Sequence, residues 1–416
     1  MARSFGTVAV KSLYAATAFT ALAVTATSAM AGGFAVREQS ASLMGAAFAG
    51  AAAGGDLSSA FWNPAAFGTA ENGLTTQSAY SAIFADTELS NGSTNLPIGG
   101  ATSTDIDRIG LLSASYAAYR LSDKMVLGVS VNAPFGLATD PDDGNWVGRV
   151  HSREAEMMTL NVAPTLAYEV SPGVHVAAGL QLEYAKLKLW SAGGFAVPSP
   201  SASIKVDDTI GVGFTAGILL KPAEGTSVGL GFRSSIEHNL EGELNDPRGF
   251  SLPVSATLET PEMVTFSISQ AVSNAMRIMG TVEWSNWSRV ATVPVVGFPG
   301  GAVIDANWDD GWFVSGGAEY DYMPGLTLRG GIAYEKSPIR EPGQRLVQLP
   351  DSDRIWVSAG ASYRYSEATT LDFSFAHIFF EDEHLTRGAL GSPTFVLDAD
   401  VENSANIISV GMRTRW

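Results

Sequence analysis

Cysteine is absent from all 416 residues. That excludes disulfide frameworks, thiolate metal sites, CxxC redox pairs and cysteine nucleophiles. Charge is sparse: Asp, Glu, Lys and Arg make up 16%, against roughly 25% in ordinary soluble domains. The charge present leans acidic, 42 Asp and Glu against 25 Lys and Arg, a net of −17. That sign excludes a basic nucleic-acid binder. Long apolar runs are missing too. Beyond the N-terminus there is no stretch of the roughly 18 apolar residues that each span of a helical membrane bundle needs. Yet 46% of residues are hydrophobic and 44 are glycine. The apolar residues are spread over many short segments.

The N-terminus carries an export signature. Arg3 and Lys11 precede a stretch of Ala, Leu, Val and Thr that ends in Ala29-Met30-Ala31. A positive start, a short apolar centre and a small-x-small ending make residues 1–31 a cleavable signal peptide. The mature chain then starts at Gly32. Threonines and a serine between Thr17 and Ser28 dilute the apolar run, which argues against a membrane anchor. An exported chain meets no nucleotide pool, no Gly-rich phosphate loop is present, and no cofactor is expected.

From Leu74 to Trp416 the hydrophobic period is two. Over 157–170 one face carries Met158, Leu160, Val162, Pro164, Leu166, Tyr168 and Val170; the other carries Thr159, Asn161, Thr165 and Glu169. Over 209–220 the apolar face is Ile210, Val212, Phe214, Ala216, Ile218 and Leu220, opposite mostly Gly and Thr. Such alternation specifies a strand between two different environments. Fourteen such segments are predicted, near 74–84, 108–121, 124–133, 157–170, 174–184, 209–220, 227–238, 262–272, 275–287, 312–320, 326–335, 354–365, 369–380 and 407–416. Most have the length of a tilted strand that crosses a bilayer.

The links between them alternate strictly. Long ones at 85–107, 134–156, 185–208, 239–261, 288–311, 336–353 and 381–406 are separated by short ones such as Ser122-Asp123. A membrane barrel has long loops outside and tight turns in the periplasm, and an even strand number leaves both termini there. The last segment closes on Trp416, with Ile408, Val410, Met412 and Thr414 on the same face. A terminal aromatic of this kind looks like the signal that outer-membrane barrels present to their assembly machinery. Arg108, Arg120, Arg233, Glu237, Arg277, Glu283, Glu319, Arg329, Arg364 and Asp372 should face the lumen. On the lipid face an arginine at mid-depth costs about 2–4 kcal/mol. These charges either pair across the lumen or guide an anionic head group. Arg233, Arg277, Arg329 and Arg364 are the head-group candidates.

Residues 32–72 do not alternate. They are rich in Gly and Ala and hold Phe34, Phe48, Phe61, Trp62 and Phe67. Disordered tails are polar and poor in aromatics, so this segment should pack against something. Fourteen strands leave a lumen wider than side chains alone fill at about eight strands. The fold expected is all-β: a 14-stranded antiparallel transmembrane β-barrel over 73–416, with an N-terminal hatch, 32–72, as a plug in its lumen. Asn63-Pro64 reads as a turn inside the hatch.

At these residues the chain resembles a known family, the FadL-type outer-membrane transporters of long-chain fatty acids and other hydrophobic compounds. The resemblance rests on the hatch from Gly33-Phe34 to Asn63-Pro64-Ala65, on Asn132-Ala133-Pro134-Phe135-Gly136, and on Trp146-Val147-Gly148-Arg149. Phe232-Arg233-Ser234-Ser235 with His238 and Gly242, Trp284 to Trp287-Ser288, and Ser337-Pro338 before Leu349-Pro350-Asp351 extend it. It implies a fourteen-stranded barrel with a hatch and passive uptake of long-chain fatty acids or similar compounds. It also implies a route, in which the ligand docks between outward loops, moves to an interior pocket near the mature N-terminus, and exits sideways where strand 3 is kinked. The kink falls at Pro134 or earlier, near Gly128. The implied ligand-binding and gating residues are Phe34, Asn63, Pro64, Ala65, Asn132, Pro134, Phe135, Gly136, Trp146 and Arg149. The expected partners are a hydrophobic small molecule, outer-membrane lipid and lipopolysaccharide, and the assembly machinery, with the barrel a monomer.

Other classes fit less well. His151-Ser152 are adjacent and would face opposite ways on a strand, and no Gly-x-Ser-x-Gly elbow is present, so an enzyme is not expected. Asp140, Asp142 and Asp143, or Glu381 to His384, are solvated loops or calcium ligands; no metal site is assigned. A general diffusion porin or a structural or adhesive barrel would lack an apolar plug. Deleting 32–72 should therefore leave a barrel that assembles but conducts small ions. Unchanged low single-channel conductance of that deletion would exclude the plug.

Overall fold

The computed structural model describes residues 32–106, 108–192, 201–208 and 210–416. The predicted signal peptide, 1–31, lies outside them. Among the described residues fourteen antiparallel strands close into a barrel: β1 Leu74–Thr94, β2 Ile109–Arg120, β3 Met125–Asn132, β4 Glu154–Ser171, β5 Val174–Ala192, β6 Gly211–Ala223, β7 Thr226–Arg233, β8 Met263–Ala271, β9 Met276–Ser285, β10 Gly311–Met323, β11 Leu326–Lys336, β12 Arg354–Arg364, β13 Thr369–Phe380 and β14 Ser392–Arg415. Each pairs with the next, and β14 returns to β1 from Thr75–Arg415 up to Thr94–Leu397. Closure leaves no free sheet edge, the condition for backbone to lie in hydrocarbon.

The wall has the predicted two faces. Along β13, Phe373, Phe375 and Phe379 are exposed, while Asp372, Ser374 and Ala376 are buried. Along β6, Val212 and Phe214 are exposed and Thr215 and Leu219 are buried. An apolar outer band with a mixed inner face is the membrane-barrel pattern.

Two of the predicted segments differ most in extent. β1 and β14 run ten or more residues past the alternating stretches 74–84 and 407–416. Their outer halves continue the ladder to Thr94–Leu397, with a register shift past Ser90–Asp400, where loops cover the faces and the lipid-driven alternation fades. The segment predicted at 227–238 is broken. β7 ends at Arg233, and the chain resumes as a short strand, Glu237–Asn245, paired with Ser251–Glu259 above the barrel. Glu237, expected in the lumen, is therefore exposed in this outer extension. Arg108 sits just before β2, paired with Glu154 at 3.2 Å and Asp140 at 3.6 Å.

Residues 32–73 fill the lumen. The hatch has one helical turn, Ala41–Met44, and two 3-10 turns, Leu57–Phe61 and Pro64–Thr69, capped by the side chains of Ser40, Asp56 and Asn63. So little regular structure leaves many backbone groups without intrasegment partners, and buried ones must find them elsewhere. Inward hydroxyls of the wall supply them. Thr281 Oγ1 accepts from Gly50 N at 2.9 Å and donates to Phe48 O at 2.9 Å; Ser267 Oγ accepts from Ala52 N at 2.9 Å. Close approach requires glycine in β7: a Cβ on Gly229 or Gly231 would stand 1.8 Å from the carbonyl oxygen of Ala52 or Trp62. Phe48, Trp62, Phe67 and Met44 are fully buried in the resulting core. Gly231→Val should cost the folded barrel about 1–3 kcal/mol by overpacking. It should lower the temperature of the heat-induced gel shift; an unshifted transition would mean the hatch does not pack there.

Candidate functional site

Two features converge at the outward end of the hatch. The first is an interruption of the wall. The β2–β3 ladder runs from Arg120–Val126 to Ser115–Val131 and passes through Gly128 without a break. Past Asn132 the chain leaves the ladder at Ala133-Pro134, where proline has no N–H to donate; Phe135 O already accepts from Thr159 N of β4 at 3.1 Å, and regular pairing with β4 resumes at Gly136–Thr139. Of the two positions raised by the family resemblance, the break falls at Pro134. The start of the hatch fills it. Val36 N donates to Pro134 O at 2.7 Å, Gly136 N to Phe34 O at 2.9 Å, and Ala35 and Phe135 form an isolated antiparallel bridge. Gln39 Nε2 donates to Ala133 O at 2.8 Å and Val36 O at 2.9 Å. Asn132 Nδ2 donates to the Tyr116 hydroxyl, which donates to Gln39 O, both at 2.9 Å. A short piece of hatch thus serves as wall backbone.

The second feature is an apolar cavity of about 930 Å³ between the outer loops. Phe34 borders it, with Leu137, Met157, Leu187, Val290 and Trp308. Phe34 is clasped by Trp287 (ring centroids 4.7 Å), Phe135 (5.7 Å) and Trp308 (5.8 Å). The two edge-to-face contacts, to Trp287 and Phe135, add about 0.5–1.5 kcal/mol each beyond burial. The charged lining residues are Arg387 and Asp305. His151 also borders the cavity; burial holds its pKa below the usual histidine range, so the ring is neutral. Its Nε2 lies 2.7 Å from Phe395 O and is the ring's donor. The cavity suits apolar matter.

Below Phe34 lies a buried ion cluster. The Arg37 guanidinium lies 2.9 Å from Glu283 and 3.3 Å from Glu335, and stacks 3.8 Å from the Phe313 centroid. Arg354 pairs with Asp351 and lies 3.7 Å from Glu335. Trp356 Nε1 donates to Glu335 at 3.0 Å.

The expected site residues separate into groups. Phe34, Asn132, Pro134, Phe135 and Gly136 meet at the interruption. Asn63, Pro64 and Ala65 lie deeper: Asn63 Nδ2 donates to Ala52 O at 2.8 Å and Ile218 O at 3.0 Å, tying the hatch to β6. Trp146 is buried in a separate outer-loop core with Leu89, Val347 and Leu397. Arg149 there donates to the carbonyls of Gly99 (2.8 Å) and Trp146 (2.9 Å). Arg233 reaches Phe61 O at 3.4 Å and covers its ring. Arg277 and Arg329 both pair with Glu319, at 2.5 and 2.7 Å, and with Arg364 line a polar cavity on the opposite side of the hatch. None of these four arginines borders the apolar cavity. Trp287, Trp308, Arg37 and the carboxylates around it escaped the sequence reading as site residues. Trp287 lay within a recognised motif; the ion cluster joins residues about 250–300 positions apart and leaves no local signal. Among the described residues no group of three or more His, Asp or Glu is arranged to hold a metal.

A closed fourteen-stranded barrel with a lumenal hatch and an apolar cavity defines an outer-membrane channel for hydrophobic compounds. The chain belongs to the outer membrane protein transport family (OMPP1/FadL/TodX), whose family model matches residues 22–416. It is 26% identical to a long-chain fatty acid transport protein of Escherichia coli O6:H1 over 413 residues, 88% of this chain and 91% of that one. Its fold matches the crystal structure of a Pseudomonas aeruginosa FadL homologue with a TM-score of 0.83 at 20% identity, over 92% of this chain and 99% of that one. It also matches the Pseudomonas putida toluene transporter TodX, with a TM-score of 0.68 at 15% identity, over 90% and 98%. The chain is thus an outer-membrane transport barrel and not an enzyme.

One hatch carboxyl gives the site a pH signature. Glu38 is buried beside Glu335, and its Oε2 has no hydrogen-bond partner among the described residues. Burial raises its pKa to about 7, with the Glu335 charge adding to the shift and backbone hydrogen bonds and Arg37 opposing it. The folded chain therefore keeps a proton that the unfolded chain releases from about pH 4.5 upward. Stability contributed by Glu38 is full below that pH and is lost as pH rises through 7, by about 3 kcal/mol at the 1.36 kcal/mol per unit of linkage. Glu38→Gln should flatten that decline in urea unfolding of the barrel in micelles. An identical slope in the variant would contradict the assignment.

Proposed function

We propose that this barrel takes up long-chain fatty acids or similar hydrophobic compounds passively, and that they leave sideways through the wall at Ala133–Phe135. The carrying observation is that one hatch segment, Phe34–Val36, both borders the apolar cavity and fills the break in β3. A molecule that enters between the outer loops and displaces Phe34 opens the path into the bilayer in the same movement. The route never exposes the ligand to water, which would cost about 0.8 kcal/mol per CH₂. The name of the Escherichia coli relative supports a fatty acid. A second reading, a neutral hydrocarbon, is supported by the distance of Arg233, Arg277, Arg329 and Arg364 from the apolar cavity. The hatch in the lumen makes a general diffusion porin or an adhesive barrel a poorer fit. Trp416, whose Nε1 donates to Thr76 at 3.0 Å, supports presentation of the last strand to the assembly machinery. We read the barrel as a monomer in lipid and lipopolysaccharide.

The absence of cysteine provides a clean test. Ala35 and Phe135 face each other at a non-hydrogen-bonded position, where Cα atoms lie about 4.5 Å apart, within disulfide range. Ala35→Cys with Phe135→Cys should assemble normally. In cells lacking their own fatty-acid channel, the wild type should restore uptake of labelled oleate. The oxidised double variant should lose at least tenfold of that uptake, and reductant should return it. Uptake indifferent to the tether would place the exit elsewhere. Uptake of labelled alkane or toluene without oleate would favour the second reading.

A further inference from the structure

The ion cluster beneath Phe34 does not balance. Arg37 and Arg354 face Glu283, Glu335 and Asp351, and none of the five is more than 7% exposed. Arg345 donates to the Asp351 carbonyl at 2.9 Å; its guanidinium pairs with Glu383 at 3.2 Å, and its charge acts on Asp351 less strongly than on Glu383. Glu38, when ionised, adds only further negative charge. Within ion-pair distance three carboxylates meet two guanidiniums, one negative charge in excess; the buried Arg233 acts on Glu283 only from farther off. Burying an uncompensated charge costs several kcal/mol, so a missing cation is expected close by.

The chain supplies one. The nitrogen of Gly32 lies 3.1 Å from Glu335 Oε1, in a buried position, and Gly33 N lies 3.0 Å from Asp351 Oδ2. The approach is fitted to a bare backbone. A Cβ on Gly32 would stand 3.2 Å from Glu335 Oε1; one on Gly33, whose φ is +64°, would stand 2.9 Å from the Trp287 ring. Hydrolysis of the Ala31–Gly32 bond by an export peptidase consumes one water. It leaves a carboxylate on Ala31 and an ammonium on Gly32.

We propose that the α-ammonium of Gly32 is a structural ion of the mature protein, bound by Glu335 while Asp351 holds the next amide, Gly33 N, and that signal-peptide removal is what completes this site. The inference rests on cleavage after Ala31 and not on the transport route. Before cleavage the nitrogen is a neutral amide and the cluster carries one excess negative charge. After cleavage the cluster is neutral and the chain end is pinned three residues before Ala35. Processing therefore locks the segment that fills the β3 interruption.

The test is a double-mutant cycle on the mature barrel in micelles. One chain begins at Gly32; the other carries Ala-Ala ahead of it, which turns the Gly32 nitrogen back into an amide. Each is made with and without Glu335→Gln, and intact mass confirms the first residue. Glu335→Gln should destabilise the chain that begins at Gly32. In the extended chain, where it removes the excess charge, its effect on the unfolding equilibrium should be at least tenfold smaller. Equal effects in both chains would overturn the proposal. If a variant does not fold, acylation of the wild-type α-amine decides. At pH 8 it should be at least tenfold slower folded than unfolded, and equal rates would overturn the proposal. A mature protein from the outer membrane that starts at another residue would overturn it too, and would leave the transport proposal standing.

Discussion

In hydrocarbon every backbone N–H and C=O needs a protein partner. A broken wall strand is tolerable only if something replaces its hydrogen bonds. Here the replacement is the hatch segment Phe34–Val36, bonded to Pro134 and Gly136. Much of the rest follows from that constraint. The hatch must reach the wall at one place, so its start is anchored by the Glu335 and Asp351 carboxylates. Phe34 must turn inward from the same segment, so it borders the cavity. Wall integrity and cavity shape are thereby coupled through three residues.

The remainder of the hatch is held without a fold of its own. Its turns are too short to satisfy their backbones, and Thr281 and Ser267 do so from the wall. Glycines in β7 let the hatch main chain approach to contact distance. The barrel interior therefore acts as the hatch's template. Charges are sorted along the axis. The apolar cavity lies on the loop side, while Arg277, Arg329 and Arg364 line a polar cavity on the side of the tight turns. Seen from the loops, apolar surface comes first and a packed, polar-backed plug lies behind it.

Much of this was legible in the sequence. The period of two marked all fourteen strands because lipid on one side and lumen on the other impose it. The alternation of long and short links gave the barrel its direction. The aromatic, uncharged character of 32–72 marked the plug. The extent of β1 and β14 was not legible, since above the bilayer both faces meet protein or water. Nor was the jog after Arg233, which lifts Glu237 out of the wall. For the site, Phe34 and Asn132 to Gly136 were visible as motifs and do meet. Trp146 and Arg149 brace outer loops, and Asn63 to Ala65 tie the hatch to β6. The ion cluster was invisible, because only closure of the barrel brings Arg37, Glu283, Glu335 and Asp351 together.

Hydrogen exchange at two amides tests the account most directly. Val36 and Gly136 donate the bonds that close the β3 break. With the mature protein in lipid nanodiscs, both should exchange slowly without ligand and markedly faster when a long-chain apolar ligand such as oleate or hexadecane is added. The amides of Gly50 and Ala52, bonded to the wall deeper in the hatch, should keep their protection. If ligand binds and both Val36 and Gly136 stay protected, the hatch segment does not leave the wall. The claim that one movement opens cavity and bilayer together would then be wrong.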